Sequence, residues 1–397
     1  MEQSVRAPLG RDLNMPLFLG LLAHAVVVQA VVALARVTTT YRAIELDLSV
    51  VWIGVIAAGF SIMPIFVAVS VGRFIDRGND SVAAWIGAGL MLVACGGLWL
   101  APNSAVHLLV FSVILGVGQL FCMAAHQMIA VRCAGPKSRE NVFGYFMIAI
   151  GAGQGLGPLL LGVVGGKAAV PPTGALFTFC AAGALLCLFV AFGLRPAPPE
   201  AKPAQAGKVV PLSALLRLHG FPAVLTASVM TVTAFELMAI YLPLLGTERH
   251  IDTGTIGTLL AVRSLVSVVS RLFYARLLET MGRLQLMVSS ILIGAVAIGV
   301  LGLPVPLFAM YAAVVAIGLG LGIAATLTFS EVVVLAPIEA RATALSLRIT
   351  GNRLGQALLP FIASVVATAT GAGGVLVITA LVLAASGIAV RMILKPA

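Results

Sequence analysis

Long apolar runs separated by short polar stretches recur from one end of this sequence to the other. Each run holds about 20 to 28 residues. At 1.5 Å per residue of helix, that length crosses the ~30 Å hydrocarbon layer of a bilayer. The pattern predicts an all-α membrane protein whose twelve spanning helices cover residues 15–38, 50–71, 81–101, 106–130, 142–166, 173–194, 220–246, 253–275, 284–303, 306–332, 342–369 and 372–392.

The second half of the chain repeats positions of the first half at a nearly constant offset. Ser61 returns 203 positions later as Ser264, and the segment 153–158 (Gly-Gln-Gly-Leu-Gly-Pro) returns 202 positions later as 355–360 (Gly-Gln-Ala-Leu-Leu-Pro). In a membrane chain such a repeat is typical of a duplicated transporter fold with its site between the halves. It predicts two six-helix bundles related by pseudo-two-fold symmetry.

The domain boundaries follow from the one long polar interruption. Residues 195–219 hold five prolines and two lysines and fall where the repeat predicts a join. A stretch rich in proline and charge is stiff and solvated. We therefore expect an N-terminal bundle over 1–194, a cytoplasmic linker over 195–219 and a C-terminal bundle over 220–397.

Composition and charge narrow the class of protein. The chain is 60% hydrophobic and 10% charged, with a formal charge of +10. The basic residues lie in short loops rather than on one soluble face, so no nucleic-acid partner is expected. Sixteen of them fall on the side of the predicted helices that holds both termini and four on the other, which predicts cytoplasmic termini. Four of the five cysteines lie in apolar runs, where they act as small packing residues.

Three motifs carry a resemblance to a known family. Gly72-Arg-Phe-Ile-Asp76-Arg77 follows the second span, 275–283 repeats it more weakly after the eighth span, and Gly153-x-x-x-Gly157-Pro158 lies in the fifth span. With the twelve-span pattern, the chain resembles the major facilitator superfamily over its whole length, and most closely its bacterial drug and metabolite efflux branch. The resemblance implies alternating access in the bacterial inner membrane, with spans one, four, seven and ten around the cavity.

Some positions depart from the family's pattern. The loop motif continues as Gly78-Asn79-Asp80, without the usual basic residues, and Ser112 stands where the drug antiporters commonly carry an arginine. The first span also lacks the acidic residue of many proton-coupled drug exporters. The resemblance therefore does not imply proton coupling of that specific type.

The repeated loop charges predict a gate on the cytoplasmic side. Asp76 is expected to pair with Arg341, and Glu279 with Arg139, when the carrier faces outward. The alternative is that each carboxylate only caps its own turn. The predicted gate residues are Gly72, Asp76, Arg77, Arg139, Glu279, Arg283 and Arg341. The predicted packing and bending positions are Gly153, Gly157, Pro158, Gly355 and Pro360.

Charges near the middle of apolar spans are the strongest chemical signal. Glu236, Arg263 and Arg353 lie there, and an isolated ion at the bilayer centre costs at least ~2.5 kcal/mol. They must pair, face water or bind a charged ligand. A structural ion pair within the second half is the alternative. In the first half, the candidates for the substrate and proton pathway are Gln29, Arg36, Gln119 and His126, although a hydrogen-bonded structural role for His126 stays open.

Function follows from these expectations. The sequence has no nucleotide-binding or hydrolytic motif, so it predicts a transporter rather than an enzyme, with no cofactor and no metal. The leading hypothesis is proton-coupled export of a small organic solute, a drug or a metabolite, with a lean toward a polar or anionic one. The alternative is proton-coupled import of an organic anion. The expected partners are the substrate, protons and the lipid bilayer, and the chain is expected to be a monomer.

Overall fold

A computed structural model describes residues 13–100, 104–133, 139–195, 212–337 and 340–394. Ten long helices come first: α1 Met15–Glu45, α2 Val50–Asp76, α3 Asp80–Leu100, α4 Ala105–Arg132, α5 Arg139–Gly165, α6 Thr173–Phe192, α7 Phe221–Glu248, α8 Thr253–Leu272, α9 Arg283–Gly302 and α10 Leu307–Leu335. The last helical stretch, Arg341–Leu394, is broken at Gly371 into α11 (341–370) and α12 (372–394). Short helices Leu212–Leu216 and Tyr274–Met281 lie outside the long ones.

Polar side chains set where several helices begin. Asn14 Oδ1 accepts from the Leu17 N–H at 3.2 Å to start α1, and Asp252 Oδ1 accepts from the Thr255 N–H at 2.7 Å to start α8. The Thr255 side-chain hydroxyl also donates to Asp252 and lowers the pKa of that carboxyl. The cap is therefore present at neutral pH and is lost only as the pH falls through this lowered pKa.

The break between α11 and α12 requires a glycine. Gly371 has φ +66°, a left-handed conformation that other residues rarely adopt. Glu248, at the end of α7, accepts the Ala372 N–H with both carboxylate oxygens at 3.0 and 3.2 Å. A carboxylate there satisfies an unpaired donor of the new helix and faces the positive end of its dipole. The described part of the chain thus forms twelve spanning helices, as predicted.

The packing confirms the two repeated bundles. A Cβ at Gly116 would meet the carbonyl of Phe60, and a Cβ at Gly318 would meet the carbonyl of Arg263. These pairs are the same two positions in each half, on α2 with α4 and on α8 with α10. Both contacts need glycine, because the helices touch backbone to backbone. The repeat in the sequence is therefore a repeat of helix contacts.

The predicted spans differ from the helices mainly at their ends. Helix α1 continues to Glu45, seven residues beyond the predicted end, and α10 continues to Leu335. Within the α1 extension, the Thr39 hydroxyl donates to the Ala35 carbonyl at 2.7 Å and thereby stays satisfied in a buried turn. Residues 196–211 of the predicted linker lie outside the described residues, and Leu212–Leu216 of it is helical.

The halves meet through α2 with α11 and through α5 with α8. We call the side holding residues 13 and 394 the termini face and the opposite side the far face. At the far face the halves are bonded backbone to backbone. The Thr253 N–H donates to the Ala168 carbonyl and the Gly254 N–H to the Gly166 carbonyl, each at 2.8 Å. The far face is therefore closed.

Candidate functional site

A small polar cavity lies between the two halves. Its volume is about 50 Å³, room for a few water molecules. Helices α1, α4 and α5 line it from the first half, and α7 and α8 from the second. The lining side chains are Gln29, Val32, Ala33, Arg36, Val37, Gln119, Gln154, Pro158, Phe235, Glu236, Ala239, Leu260 and Arg263.

One ion pair crosses this cavity. The Arg36 guanidinium on α1 donates to the Glu236 carboxylate on α7. The other ion pairs among the described side chains, Arg42–Glu45, Arg132–Asp80 and Arg283–Glu331, each stay within one half. Arg36–Glu236 is therefore the charged link between the bundles in the described part of the chain.

The repeat shows how the cavity makes room for this pair. Counted with the 203-residue offset, Arg36 corresponds to Ala239 and Glu236 corresponds to Ala33. Both alanines line the cavity. Each member of this ion pair thus has a small residue as its repeat counterpart in the same cavity wall. The alanines leave space in the cavity for the longer side chains. The charges occur at positions where the two halves differ in sequence.

Arg263 is the second guanidinium of the site. It lies 3.8 Å over the Phe235 ring, donates to the Phe235 carbonyl at 2.7 Å and is 5% exposed. Its Nε finds no hydrogen-bond partner among the described residues. Arg36 similarly stacks on Phe60, 4.6 Å from the ring centre. Aromatic faces stabilise both cations without neutralising them, so both retain donors for a ligand.

The remaining predicted pathway residues divide into two groups. Gln29 and Gln119 line the cavity, and the Gln29 amide also contacts the Met123 sulfur at 3.0 Å. Arg353 lies outside the cavity lining and donates to Gln356 at 3.3 Å, although its charge still acts on Glu236. The structure thus brings Gln29, Arg36, Gln119, Glu236 and Arg263 together and holds Arg353 at the margin.

His126 lies away from the cavity. Its imidazole is hydrogen-bonded to that of His24 on α1, with the ring centres 4.8 Å apart, and both side chains are fully buried. Phe146 of α5 packs edge-on against it. The pair joins α1 and α4. Its distal nitrogens have no partner among the described residues.

The predicted gate side chains are apart in this state. Asp76, Arg77, Glu279 and Arg341 are exposed at the termini face, and Asp76 and Arg341 make no ion pair with each other. Gly72 has open space where a Cβ would stand. Arg139 begins α5, but its side chain lies outside the described residues. Arg283 donates to Glu331 at 3.5 Å and to Ser330 at 2.9 Å within the second half.

The predicted bending positions lie at helix crossings. A Cβ at Gly153 or Gly157 would strike the α1 backbone, and one at Gly355 would strike Thr233 of α7. The carbonyls of Pro158 and Pro360 face the other half. A Cβ at Gly257 would lie 2.6 Å from the first, and one at Gly54 would lie 2.7 Å from the second. These are mirror contacts of the repeat.

Sequence reasoning missed the aromatic and amide parts of the cavity. The sequence did not identify Phe60 and Phe235 as partners of the arginines, or Gln154 as part of the cavity wall. The available signal was the position of Phe60, which is the repeat counterpart of Arg263. Phe235 directly precedes Glu236 in α7.

Comparison with known proteins agrees with this architecture. The chain belongs to the Major Facilitator Superfamily, whose family model matches residues 17–254 and 224–397. It is a multi-pass membrane transporter rather than an enzyme. No curated protein matches the sequence.

Three solved transporters share the fold at low sequence identity. A bacterial homolog of the human lysosomal transporter Spinster, inward-facing and unoccupied, has a TM-score of 0.79 at 15% identity, covering 96% of this chain and 97% of its own. A mutant of the nucleoside transporter NupG has a TM-score of 0.79 at 13% identity, covering 96% and 100%. The inward-open xylose transporter XylE from E. coli has a TM-score of 0.75 at 13% identity, covering 95% and 96%.

Proposed function

We propose that this protein carries a small organic anion across the bacterial inner membrane together with a proton, by alternating access. The observation that carries the proposal is the Arg36–Glu236 ion pair across the cavity, with Arg263 beside it. Both termini are cytoplasmic in this proposal. The described state, closed at the far face, is then the inward-facing one.

The charge of the cavity favours an anion. Two guanidinium groups, Arg36 and Arg263, face a single carboxylate, Glu236. An uncompensated cation at membrane depth is costly, and a bound carboxylate would remove that cost. Arginine is also the side chain best suited to carboxylates, because its donors match the two oxygens. The amides of Gln29, Gln119 and Gln154 would bind the polar remainder of the ligand.

The ion pair also supplies a physical route to proton coupling. While Glu236 is ionised it occupies Arg36, and an incoming anion must compete with it. Protonation of Glu236 removes this competitor and frees Arg36 for the substrate. Proton and anion therefore bind more tightly together than apart, which is positive coupling between two ligands. With a proton gradient directed into the cell, the transport is uptake.

Export remains the second candidate, since one feature favours it. The Gly153-x-x-x-Gly157-Pro158 motif of α5 is similar to a motif associated with the family's antiporters. Its glycines pack α5 onto α1, and the Pro158 carbonyl faces α8. For an exporter the substrate would bind from the cytoplasm while Glu236 is deprotonated and would leave at the far face as Glu236 takes up a proton. The direction of flux in whole cells distinguishes the two candidates.

The test is flux of small carboxylates into proteoliposomes of the purified protein under an imposed pH gradient. We expect uptake that follows the proton gradient and is saturated by one class of organic anion. An identical rate with and without the gradient would contradict proton coupling. Equal transport of neutral analogues of the same size would contradict the anion site. The same vesicles with the opposite gradient separate uptake from export.

A further inference from the structure

A second pocket lies in the C-terminal half, on the side of α7 that faces away from the polar cavity. We call it the rear pocket. Its volume is about 120 Å³, and its wall is almost entirely apolar. Helices α7, α11 and α12 line it, with Thr233, Ala234 and Leu237 on α7 and Leu359 and Ala363 on α11.

The rear pocket arises where the two halves differ. In the first half, Gly157 lets α5 touch α1, since a Cβ there would lie 2.6 Å from the Ala30 carbonyl. The second half carries Leu359 at the position of Gly157, which keeps α11 and α7 from the same approach. The buried Leu161 of the first half corresponds to Ala363, which leaves its volume empty.

One buried hydroxyl lies at the edge of this apolar space. Thr233 is 1% exposed, its Oγ1 has no hydrogen-bond partner among the described residues, and a Cβ at Gly355 of α11 would lie 2.7 Å from that oxygen. A buried, unpaired hydroxyl is destabilising. The first half has Ala30 at the same position, so the fold itself does not require a hydroxyl.

The pocket opens toward the hydrocarbon of the bilayer. Ile362, Ile378 and Val382 at its rim are 52%, 41% and 46% exposed on the apolar outer surface of α11 and α12. A ligand would therefore arrive through the lipid rather than through water. The volume is close to that of the ~150 Å³ apolar cavity that takes up benzene.

We propose that the rear pocket binds a single-ring aromatic amphiphile of the phenol class, and that the bound molecule slows transport. The ring would fill the space left by Ala363, and its hydroxyl would pair with Thr233 after that side chain rotates toward the pocket. The pocket lies directly behind the turn of α7 that carries Glu236. A ligand wedged between α7 and α11 would press on the turn of α7 that carries Glu236 and so disturb its pair with Arg36.

The binding test uses 4-fluorophenol on the full chain in lipid nanodiscs, followed by fluorine NMR, with protein-free nanodiscs to measure partition into lipid. Wild-type protein should bind the probe saturably. Ala363→Leu and Ala234→Val should abolish binding, because they place in the second half the residues found at Leu161 and Val31 of the first. Thermal unfolding of each variant without the probe checks that it folds.

The hydroxyl is tested with Thr233→Val. We expect about fivefold weaker binding of 4-fluorophenol, equivalent to one hydrogen bond of ~1 kcal/mol, and unchanged binding of fluorobenzene. In flux assays 4-fluorophenol should slow the wild type and leave Ala363→Leu unaffected. Undiminished binding of 4-fluorophenol by both Ala363→Leu and Ala234→Val would overturn the proposal. A co-purified lipid chain in the rear pocket that 4-fluorophenol does not displace would also overturn it. The binding measurement stands even if no organic anion is transported.

Discussion

At the scale of single residues, Glu236 is the group on which the proposed coupling depends. It pairs with Arg36, and the charges of Arg263 and Arg353 also act on it. Its carboxylate is the single acidic side chain of the cavity wall. A substitution that removes the charge of Glu236 but keeps its shape should therefore separate anion binding from proton coupling.

Glu236→Gln should fix the site in the equivalent of its protonated form. We expect anion binding that no longer varies with pH, loss of gradient-driven accumulation, and retained exchange of anion across the membrane. Binding by scintillation proximity and counterflow in proteoliposomes measure these quantities. Glu331→Gln is the matched control, because Glu331 pairs with Arg283 outside the cavity. Gradient-driven accumulation that persists in Glu236→Gln would rule out Glu236 as the coupling group.

Arg263→Lys should weaken anion binding while the charge is preserved. A lysine ammonium cannot both stack on Phe235 as the guanidinium does and keep parallel donors for a carboxylate. We expect KM to rise about tenfold, the loss of about one charge-assisted hydrogen bond. Arg271→Lys, on the same helix and outside the cavity lining, should leave KM within about twofold. Equal KM values for the two variants would contradict an anion-binding role for Arg263.

At the scale of helices, the important contacts are the two crossings between the halves. Gly54 on α2 lies against the Pro360 carbonyl of α11, and Gly257 on α8 lies against the Pro158 carbonyl of α5. At both crossings a side chain in place of the glycine has no space. The glycine and proline positions of the repeat therefore serve contact between the halves as well as packing inside each bundle.

Gly257→Ala should disturb the closure of the far face. The added Cβ would lie 2.5 to 2.6 Å from backbone atoms of Gly162 and Pro158, so the helices must separate. Overpacking of this kind costs ~1–3 kcal/mol, which should shift the population toward the outward-facing state. The measurement is the transport rate together with thiol labelling of a cysteine introduced at Ala168. Gly89→Ala, whose Cβ meets open space, should behave as wild type. Unchanged labelling in Gly257→Ala would argue against this contact as a determinant of closure.

Individual residues show which features of the helices could be predicted from the sequence and which could not. The fold was predictable because a 202–203 offset and twelve apolar runs both specify it. Glu236 and Arg263 were identifiable, since a charge inside an apolar run is costly. The Arg36–Glu236 pair was not identified, because its repeat counterparts are Ala239 and Ala33, which give no charge pattern to align. The His24–His126 pair depends on how α1 and α4 rotate against each other, which spacing alone does not determine.

At the scale of the whole molecule, the two faces differ in the bonds that join the halves. Thr253 and Gly254 bond to the 166–168 segment across the halves, whereas the described gate carboxylates at the termini face are exposed. If this state is one end of the transport cycle, holding the far face shut must stop the cycle.

A cross-link between Ala168→Cys and Thr253→Cys should abolish transport, and cleavage of the link should restore it. The two positions already bond to each other between the halves. The control is a link between Glu45→Cys and Thr173→Cys, which lie in contact at the same face within one half. The native cysteines are buried and should react little. Full activity of the linked 168–253 protein would mean that the far face need not open.

The two crossings, at Gly54 with Pro360 and at Gly257 with Pro158, have a mechanical consequence. Two separate points fix a line, and bodies held at both are free mainly to turn about that line. A single point of contact would also allow the two halves to rotate against each other about other axes. Rotation of the two halves about this line therefore widens the gap between them at one face and narrows it at the other. A pathway open to both faces at once would require the loss of one of these two helix contacts.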